Sequence, residues 1–225
     1  TSGPASAGSG VAEDGSVYLK MDDWQWRIGL HPHATNAGLL YLGLEVKNQV
    51  ALEKAVKELE GLGIEVRMGS AEEAASRAVA ALAITHDPLG HQVELFYGPT
   101  VDKNYQSPQG MQFKTGELGL GHLNLLAGPL DDAQEFYSRV LGFELTDFMH
   151  FGPMGSVHFY HCNPRHHSIG LLHMGEVSGI QHMMLEVTEV DMMLQCLERV
   201  QDAGINVTSS VGRHINDNTL SFYMS

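Results

Sequence analysis

The sequence predicts an α+β fold built from tandem copies of one unit, in which a strand is followed by a helix and then by several strands. The first observation is an internal repeat: "GLLYLGLEVKNQVALEKAVKELEGLGIEV" (38–66) and "GIQHMMLEVTEVDMMLQCLERVQDAGINV" (179–207) align without gaps at an offset of 141 residues. The second is helical spacing of apolar residues in both copies, and the third is a series of short strand-like runs between them. The 225 residues are enough for two domains of about a hundred residues each.

Each copy of the repeat has the same predicted order of elements. An apolar strand ends in Leu-Glu-Val, a helix follows, and Gly63 or Gly204 stands at the C′ position that commonly ends a helix. The apolar stripe of each helix consists of three residues at matching positions, namely Leu52, Val56 and Leu59 in the first copy and Met193, Leu197 and Val200 in the second.

A third strand–helix unit is predicted over 118–143, with Asp131 or Asp132 as the helix N-cap. Residues 99–117 are polar and contain Gly and Pro, which predicts a linker between an N-terminal domain (1–98) and a C-terminal domain (118–225). The small polar residues of 1–15 predict a loop. The remaining strand-like runs are 16–23, 24–31, 78–87, 91–98, 156–163, 166–174 and 220–224.

The repeat also predicts what the sequence lacks. The N-terminal half has no counterpart of the strand–helix unit at 118–143. The second copy stops before any counterpart of "DPLGHQVELFYGP" (87–99). We therefore expect a further unit before the N-terminal domain and a further segment after Ser225.

Composition excludes several classes of function. The net charge is −14 with only 13 Lys and Arg, so no basic surface for nucleic acid is visible. No apolar run approaches the ~20 residues that span a bilayer, and no signal peptide is visible. The two cysteines, Cys162 and Cys196, form no CxxC pair, which favours a reducing cytoplasm. The 13 histidines favour a metal or acid–base site.

One histidine distinguishes the two copies of the repeat. Tyr41 in the first copy corresponds to His182 in the second, which indicates that only one half carries this chemistry. Alternation predicts that Ile180, His182, Met184 and Glu186 share a face of one strand, and that His122 shares a face of another with Asn124 and Leu126. Both histidines are predicted to lie near the start of a strand, and they are the candidate metal ligands. Two imidazoles and one carboxylate on one side of a metal form the facial triad of non-haem Fe(II) oxygenases.

A histidine cluster follows in "HFYHCNPRHHSIGLL", which we interpret as a hairpin with its turn at 163–165. Alternation places Phe159 and His161 on one face of the first strand. It places His167, Ile169 and Leu171 together on the second, so we expect His167 to point into an apolar cup and to be neutral at pH 7.

Four ordered motifs resemble a known family: "GLGHLNLL…FYSRVLGFEL", "HFYHCNPRHHSIGLL", "SGIQHMMLEV" and "GRHINDNTLSFYM". Together they are similar to the extradiol catechol dioxygenases of the vicinal-oxygen-chelate type, and the resemblance covers nearly the whole chain. It implies two domains, each of two βαβββ modules curled into a partly closed barrel. It also implies that only the C-terminal barrel carries iron.

The resemblance also implies roles for individual residues. His122 and His182 match the histidine ligands of Fe(II), with Mn(II) as an open alternative. His167 matches the acid–base residue, and His166 is expected to point the other way in a structural role. The remaining matches concern the substrate: His214 and Tyr223 as hydrogen-bond donors to the bound catechol, Phe159 as a pocket wall, and Asn216 and Asp217 as residues that border the substrate or hold His214.

The third ligand implied by the resemblance is a glutamate. Glu94 in the first copy, shifted by the repeat offset, falls about ten residues past Ser225. A chain ending at Ser225 is therefore expected to bind the metal weakly and cannot be assumed active.

The function implied is cleavage of a bicyclic or larger catechol by O2, next to the diol, in a homo-oligomer. Two alternatives stay open because one fold hosts many functions. One is a non-catalytic ligand-binding module, such as a drug-sequestering protein. The other is an isomerase or epimerase that uses Zn, Ni or Co.

Overall fold

A computed structural model describes residues 10–34 and 38–225, so the predicted loop at 1–15 lies mostly outside the described residues. The elements before the linker are β1 (Gly10–Val11), β2 (Val17–Leu19), β3 (Ile28–Leu30), β4 (Tyr41–Glu45), α1 (Gln49–Gly61), β5 (Val66–Met68), α2 (Ala71–Ser76), β6 (Val79–His86) and β7 (Gln92–Pro99). The elements after it are β8 (His122–Ala127), α3 (Leu130–Glu135), β9 (Glu144–His150), β10 (Ser156–His161), β11 (Ile169–His173), β12 (Ser178–Met184), α4 (Val190–Asp202), β13 (Val207–Arg213) and β14 (Leu220–Met224).

The strands form four sheets with the orders β1-β2-β3, β4-β7-β6-β5, β12-β8-β11-β10-β9 and β13-β14. The predicted α+β class and the repeated strand–helix–strands unit are confirmed. None of the sheets formed by the described residues closes into a barrel. No sheet mixes strands from before residue 99 with strands from after residue 118, but the domain boundaries at 98 and 117 stay a prediction.

The repeat is reproduced in the two long helices. Helix α1 spans 49–61 and α4 spans 190–202, which are the same positions at the offset of 141. Gly63 and Gly204 follow the C-cap residues with φ of +74° and +69°, a conformation that glycine adopts without the steric cost of a Cβ. Both C′ glycine predictions are therefore confirmed.

The predicted N-cap of the third helix is wrong. Helix α3 begins at Leu130, its N-cap is Pro129 and no side chain caps it. Asp131 and Asp132 lie in the first turn instead, where a carboxylate is still favourable because the N-terminal end of a helix carries partial positive charge. A π-helical turn, Phe136–Val140, extends the helix.

The five-stranded sheet has two distinct faces. Leu125, Ile169 and Leu171 belong to the face that packs on Ala133, Phe136 and Tyr137 in the largest core cluster, which also includes Leu42 and Val93 from the first half. The opposite face carries His122 and Asn124 on β8, which lies between β12 and β11. Strand β12 contributes His182 to this second face. The second face therefore brings the two candidate metal ligands, His122 and His182, together.

A β-bulge changes the predicted face of β12. Ile180 pairs with Leu125 and His182 pairs with Asn124, so two residues of β12 advance for one of β8. Ile180 therefore lies on the core face, not beside His182. The strand starts at Ser178 and ends at Met184, so His182 is near its end and Glu186 lies beyond it. The predictions for Ile180, Glu186 and the position of His182 in its strand are wrong.

The structure contains no helix, among the described residues, that is long and apolar enough to cross a membrane. Both cysteines are free thiols.

Candidate metal and catechol site

Two histidines converge at the centre of the site. His122 begins β8, His182 comes from the neighbouring β12, and their Nε2 atoms lie 3.1 Å apart. Burial and the neighbouring His167 and His182 lower the pKa of His122 to about 2. Burial also lowers the pKa of His182. Both imidazoles are therefore neutral near pH 7, which is the form that binds a metal.

Gln181 fixes the orientation of His182. The Nδ1–H of His182 lies in close hydrogen-bonding contact with Oε1 of Gln181. This contact leaves the lone pair of Nε2 directed at His122, since the hydrogen bond of one ring nitrogen sets the tautomer of the other. Nothing in the sequence pattern indicated Gln181, because its side chain acts at the bulge that only the structure reveals.

His167 lies against the first ligand candidate. Its ring centroid is 4.0 Å from that of His122 and 4.6 Å from that of Phe159. Burial lowers the pKa of His167 to about 4, although the nearby Asp217 carboxylate opposes the shift. The neutral state at pH 7 that the sequence predicted is consistent with this direction.

The predicted face of His167 is wrong. The hairpin itself is confirmed, with β10 paired to β11, but His167 precedes β11 and does not follow its alternation. Phe159 pairs with Gly170, which faces Asn124 on the site side, while Ile169 and Leu171 face the core. His167 thus shares its surroundings with Phe159.

His166 does not point away from the site as expected. Its Nδ1 lies 3.1 Å from Nδ1 of His167, and the two rings are nearly perpendicular. The ligand atoms of His166, His167 and Asp217 all lie within 4.8 Å of one another, so these three side chains could also hold a cation.

The hairpin of β13 and β14 supplies the other side of the site. Oη of Tyr223 lies 3.2 Å from Nε2 of His214, which is also 2.9 Å from Oγ of Ser221. The ring of Tyr223 stands perpendicular to that of His182, with centroids 5.3 Å apart. Burial and the Asp217 charge raise the pKa of Tyr223, so its hydroxyl is available as a donor. Ser221 was not predicted, because one serine on a strand carries no signal.

Asp217 has a different neighbour from the one expected. Its Oδ1 accepts a hydrogen bond from the backbone N–H of Thr219, which makes the segment a turn. No described contact joins Asp217 to His214, which is held by Ser221 and Tyr223 instead. Asn216 is half-buried beside it. The roles of Asn216 and Asp217 toward a substrate stay predictions.

Asn124 is a further residue that the sequence did not single out as functional. Its side chain is buried on the site face between His122 and His182, and its Oδ1 has no hydrogen-bond partner. A buried acceptor without a donor costs free energy, on the order of 1–3 kcal/mol. The site therefore contains one buried hydrogen-bond acceptor, Oδ1 of Asn124, that has no donor among the described residues.

Within 10–34 and 38–225, no carboxylate or thiolate completes a three-ligand group around His122 and His182. The glutamate expected about ten residues beyond Ser225 stays a prediction. The two neutral imidazoles fit a divalent metal of the first transition series, for which imidazole is a suitable ligand.

Comparison with known proteins identifies the family. The model of the glyoxalase, bleomycin resistance protein and dioxygenase superfamily matches residues 119–223. An iron-dependent extradiol dioxygenase of Rhodococcus jostii is 36% identical over 93% of this chain and 73% of its own length. A biphenyl-2,3-diol 1,2-dioxygenase of Pseudomonas sp. is 36% identical over 96% of this chain and 75% of its own.

The fold comparison agrees. The crystal structure of a halotolerant catechol dioxygenase superposes with a TM-score of 0.90 and 35% identity, over 95% of this chain and 72% of that one. The open alternatives, a binding module and a metal-dependent isomerase, gain no support from these relatives. The chain belongs to the extradiol ring-cleaving dioxygenases of the vicinal-oxygen-chelate superfamily.

Proposed function

We propose that this dioxygenase cleaves a bicyclic or larger catechol at a mononuclear Fe(II) centre bound by His122 and His182. The observation that carries the proposal is the convergence of the two Nε2 atoms beside His167 and Tyr223. One similar protein is named an iron-dependent enzyme, which favours iron over manganese.

The relatives also support the substrate class. Several of their names refer to biphenyl-2,3-diol or 1,2-dihydroxynaphthalene, which each contain two rings, and one refers to the monocyclic 3-methylcatechol. The reaction adds both atoms of O2 to the substrate while the carbon–carbon bond beside the diol breaks. The catechol supplies the electrons, so no external reductant is needed.

The surroundings of each site residue suit it to one role in the cleavage reaction. Fe(II), when bound, would act as a Lewis acid on a catechol hydroxyl and mediate electron transfer to O2. His167, neutral at pH 7, would accept the catechol proton and return it during cleavage. Tyr223 and His214 would donate hydrogen bonds to a catechol oxygen, and Phe159 would pack against the ring and exclude water.

The assay uses full-length protein loaded with Fe(II) under anaerobic conditions. We expect O2 uptake equal to the catechol consumed, with biphenyl-2,3-diol and 1,2-dihydroxynaphthalene preferred over catechol in kcat/KM. A preference for unsubstituted catechol would contradict the substrate class. No ring cleavage with any of the three would contradict the activity proposed for this chain.

The metal assignment has a separate test. His122→Ala should abolish stoichiometric iron binding, because one of two converging imidazoles is lost, while the far-ultraviolet circular dichroism spectrum is unchanged. His173→Ala is the matched control, since His173 lies outside the site and contacts the backbone oxygen of Ala127. A full iron equivalent in His122→Ala would show that the metal is held elsewhere, for example at His166, His167 and Asp217.

A homo-oligomer in the cytoplasm is the accompanying proposal. The pair of free cysteines fits a reducing compartment and supports the location only. Sedimentation velocity would test the assembly, and a sedimentation coefficient of a monomer across micromolar concentrations would contradict it.

A further inference from the structure

The loop that carries His167 also carries Arg165, whose guanidinium is buried although it belongs to a charged residue. The side chain is 6% exposed and makes three hydrogen bonds to three different acceptors. Nε donates to the backbone oxygen of Leu118 at 2.7 Å, and Nη2 donates to that of Lys114 at 2.8 Å. Nη1 lies 2.5 Å from Oε2 of Glu186.

These acceptors belong to the segments that position the histidines of the site. Leu118 lies four residues before His122, and Glu186 lies four residues after His182. Arg165 itself lies two residues before His167. One guanidinium therefore joins the three chain segments at a short, similar distance along the chain from each histidine.

Backbone contacts make the same junction rigid. The N–H of Lys114 donates to the backbone oxygen of Glu186 at 2.8 Å, and Phe113 forms an isolated antiparallel bridge with Val187. On the other side, Asn163 accepts hydrogen bonds from the backbone N–H of Arg165 and from Oγ of Ser168. The three segments thus have few ways to move independently while Arg165 stays in place.

We infer that Arg165 is a positioning residue that sets the separation of His122, His182 and His167 for metal binding. Arginine suits this task because its planar fork presents five N–H donors in fixed directions, whereas lysine offers a single nitrogen. Residues behind a metal site that orient its ligands change metal affinity or activity by about 10–100-fold when they are lost. The inference rests on the proposed metal role of His122 and His182.

The test measures binding of Fe(II) and Co(II) alone to metal-free, full-length protein under anaerobic conditions. Arg165→Lys keeps the charge but cannot reach all three acceptors, so its Kd for either metal should rise by about 10–100-fold. The matched control is Lys114→Gln, which removes the half-exposed ion pair between Nζ and Glu186 at 2.7 Å but leaves every guanidinium contact. Its metal Kd should stay within about twofold of the parent, because such pairs contribute little.

Glu186→Gln provides a second variant if Arg165→Lys does not fold. It keeps Arg165 and both carbonyl contacts and weakens the charged contact, together with the Lys114–Glu186 ion pair that Lys114→Gln tests separately. The metal Kd should therefore rise in the same direction by a smaller factor. If Arg165 only stabilises the fold, its substitution would lower the urea midpoint of the metal-free protein and leave the metal Kd of the folded protein unchanged. That result would overturn the inference. If the parent itself binds neither metal, the proposed metal site fails instead.

Discussion

At the scale of single residues, His167 is the side chain whose surroundings most restrict its chemistry. It is 6% exposed, packed between the rings of His122 and Phe159, and its pKa is lowered by burial to about 4. A neutral imidazole beside the proposed metal can accept a proton at pH 7, which a purely packing residue would not need to do.

His167→Gln separates these two roles because it keeps polarity and approximate size but removes titration. We expect kcat to fall by about 10²–10⁴, the scale for loss of a general acid–base group, while iron content and catechol affinity change little. Steady-state O2 uptake at saturating catechol, with iron measured in the same samples, checks this. His161→Gln is the control, because His161 forms a hydrogen bond with Thr146 outside the site. A kcat within a few-fold of the parent would leave His167 a structural residue.

At the scale of elements, the separation of β8 and β12 sets the distance between the two histidine ligands. Gly121 immediately precedes His122, and a Cβ built there would lie 1.9 Å from the backbone oxygen of Met184 in β12. Its φ of +152° is also one that residues with a side chain rarely adopt. The strands can approach this closely only because residue 121 is a glycine.

Gly121→Ala should therefore destabilise the protein and move His122 away from His182. We expect the free energy of unfolding in urea to fall by about 2–5 kcal/mol, from overpacking and backbone strain together, and the metal Kd to rise. Gly61→Ala is the control, since that helical glycine has no atom within 4 Å of the added Cβ. Its stability should stay equal or rise by about 0.5–1 kcal/mol. Equal metal affinity in Gly121→Ala and the parent would contradict the close-approach argument.

The helices and strands also show which features could be predicted from the sequence. The repeat predicted α1 and α4 at matching positions because helical periodicity is a local pattern. Alternation failed at Ile180, where a bulge inserts one residue, and at His167, which lies outside its strand. The contacts of Arg165 and Gln181 were not predictable, because they depend on which segments the fold brings together.

At the scale of the whole molecule, a buried polar cluster joins the two halves. Asp87, from the turn between β6 and β7, accepts hydrogen bonds at Oδ2 from Oη of Tyr137 at 2.7 Å and from Nδ1 of His91 at 3.0 Å. Its Oδ1 accepts from the backbone N–H groups of Leu89 and His91. Tyr137 belongs to the π-helical turn after α3, so this cluster connects the first half to the elements behind the site.

The cluster predicts a pH-dependent contribution to stability. Burial alone would raise the pKa of Asp87, but the donors from His91 and Tyr137 outweigh burial and lower it. A carboxyl group with a lowered pKa stabilises the folded state above its unfolded pKa of about 3.9, and this contribution is lost as the pH falls through the folded value. The carboxylate is therefore fully stabilising at neutral pH.

Tyr137→Phe removes one donor to this carboxylate and leaves the ring in the core. The free energy of unfolding at pH 7 should fall by about 1.5–3 kcal/mol, the scale of a hydrogen bond to a charged group. Because the loss depends on a charged Asp87, the difference between variant and parent should shrink as the pH is lowered toward 3. Tyr105→Phe loses only a 3.3 Å contact with the backbone oxygen of Lys20, so its smaller difference should not depend on pH. Urea unfolding of both variants across this pH range measures the effect, and a Tyr137→Phe difference that stays constant down to pH 3 would contradict a contribution that is lost by titration of Asp87 in this range.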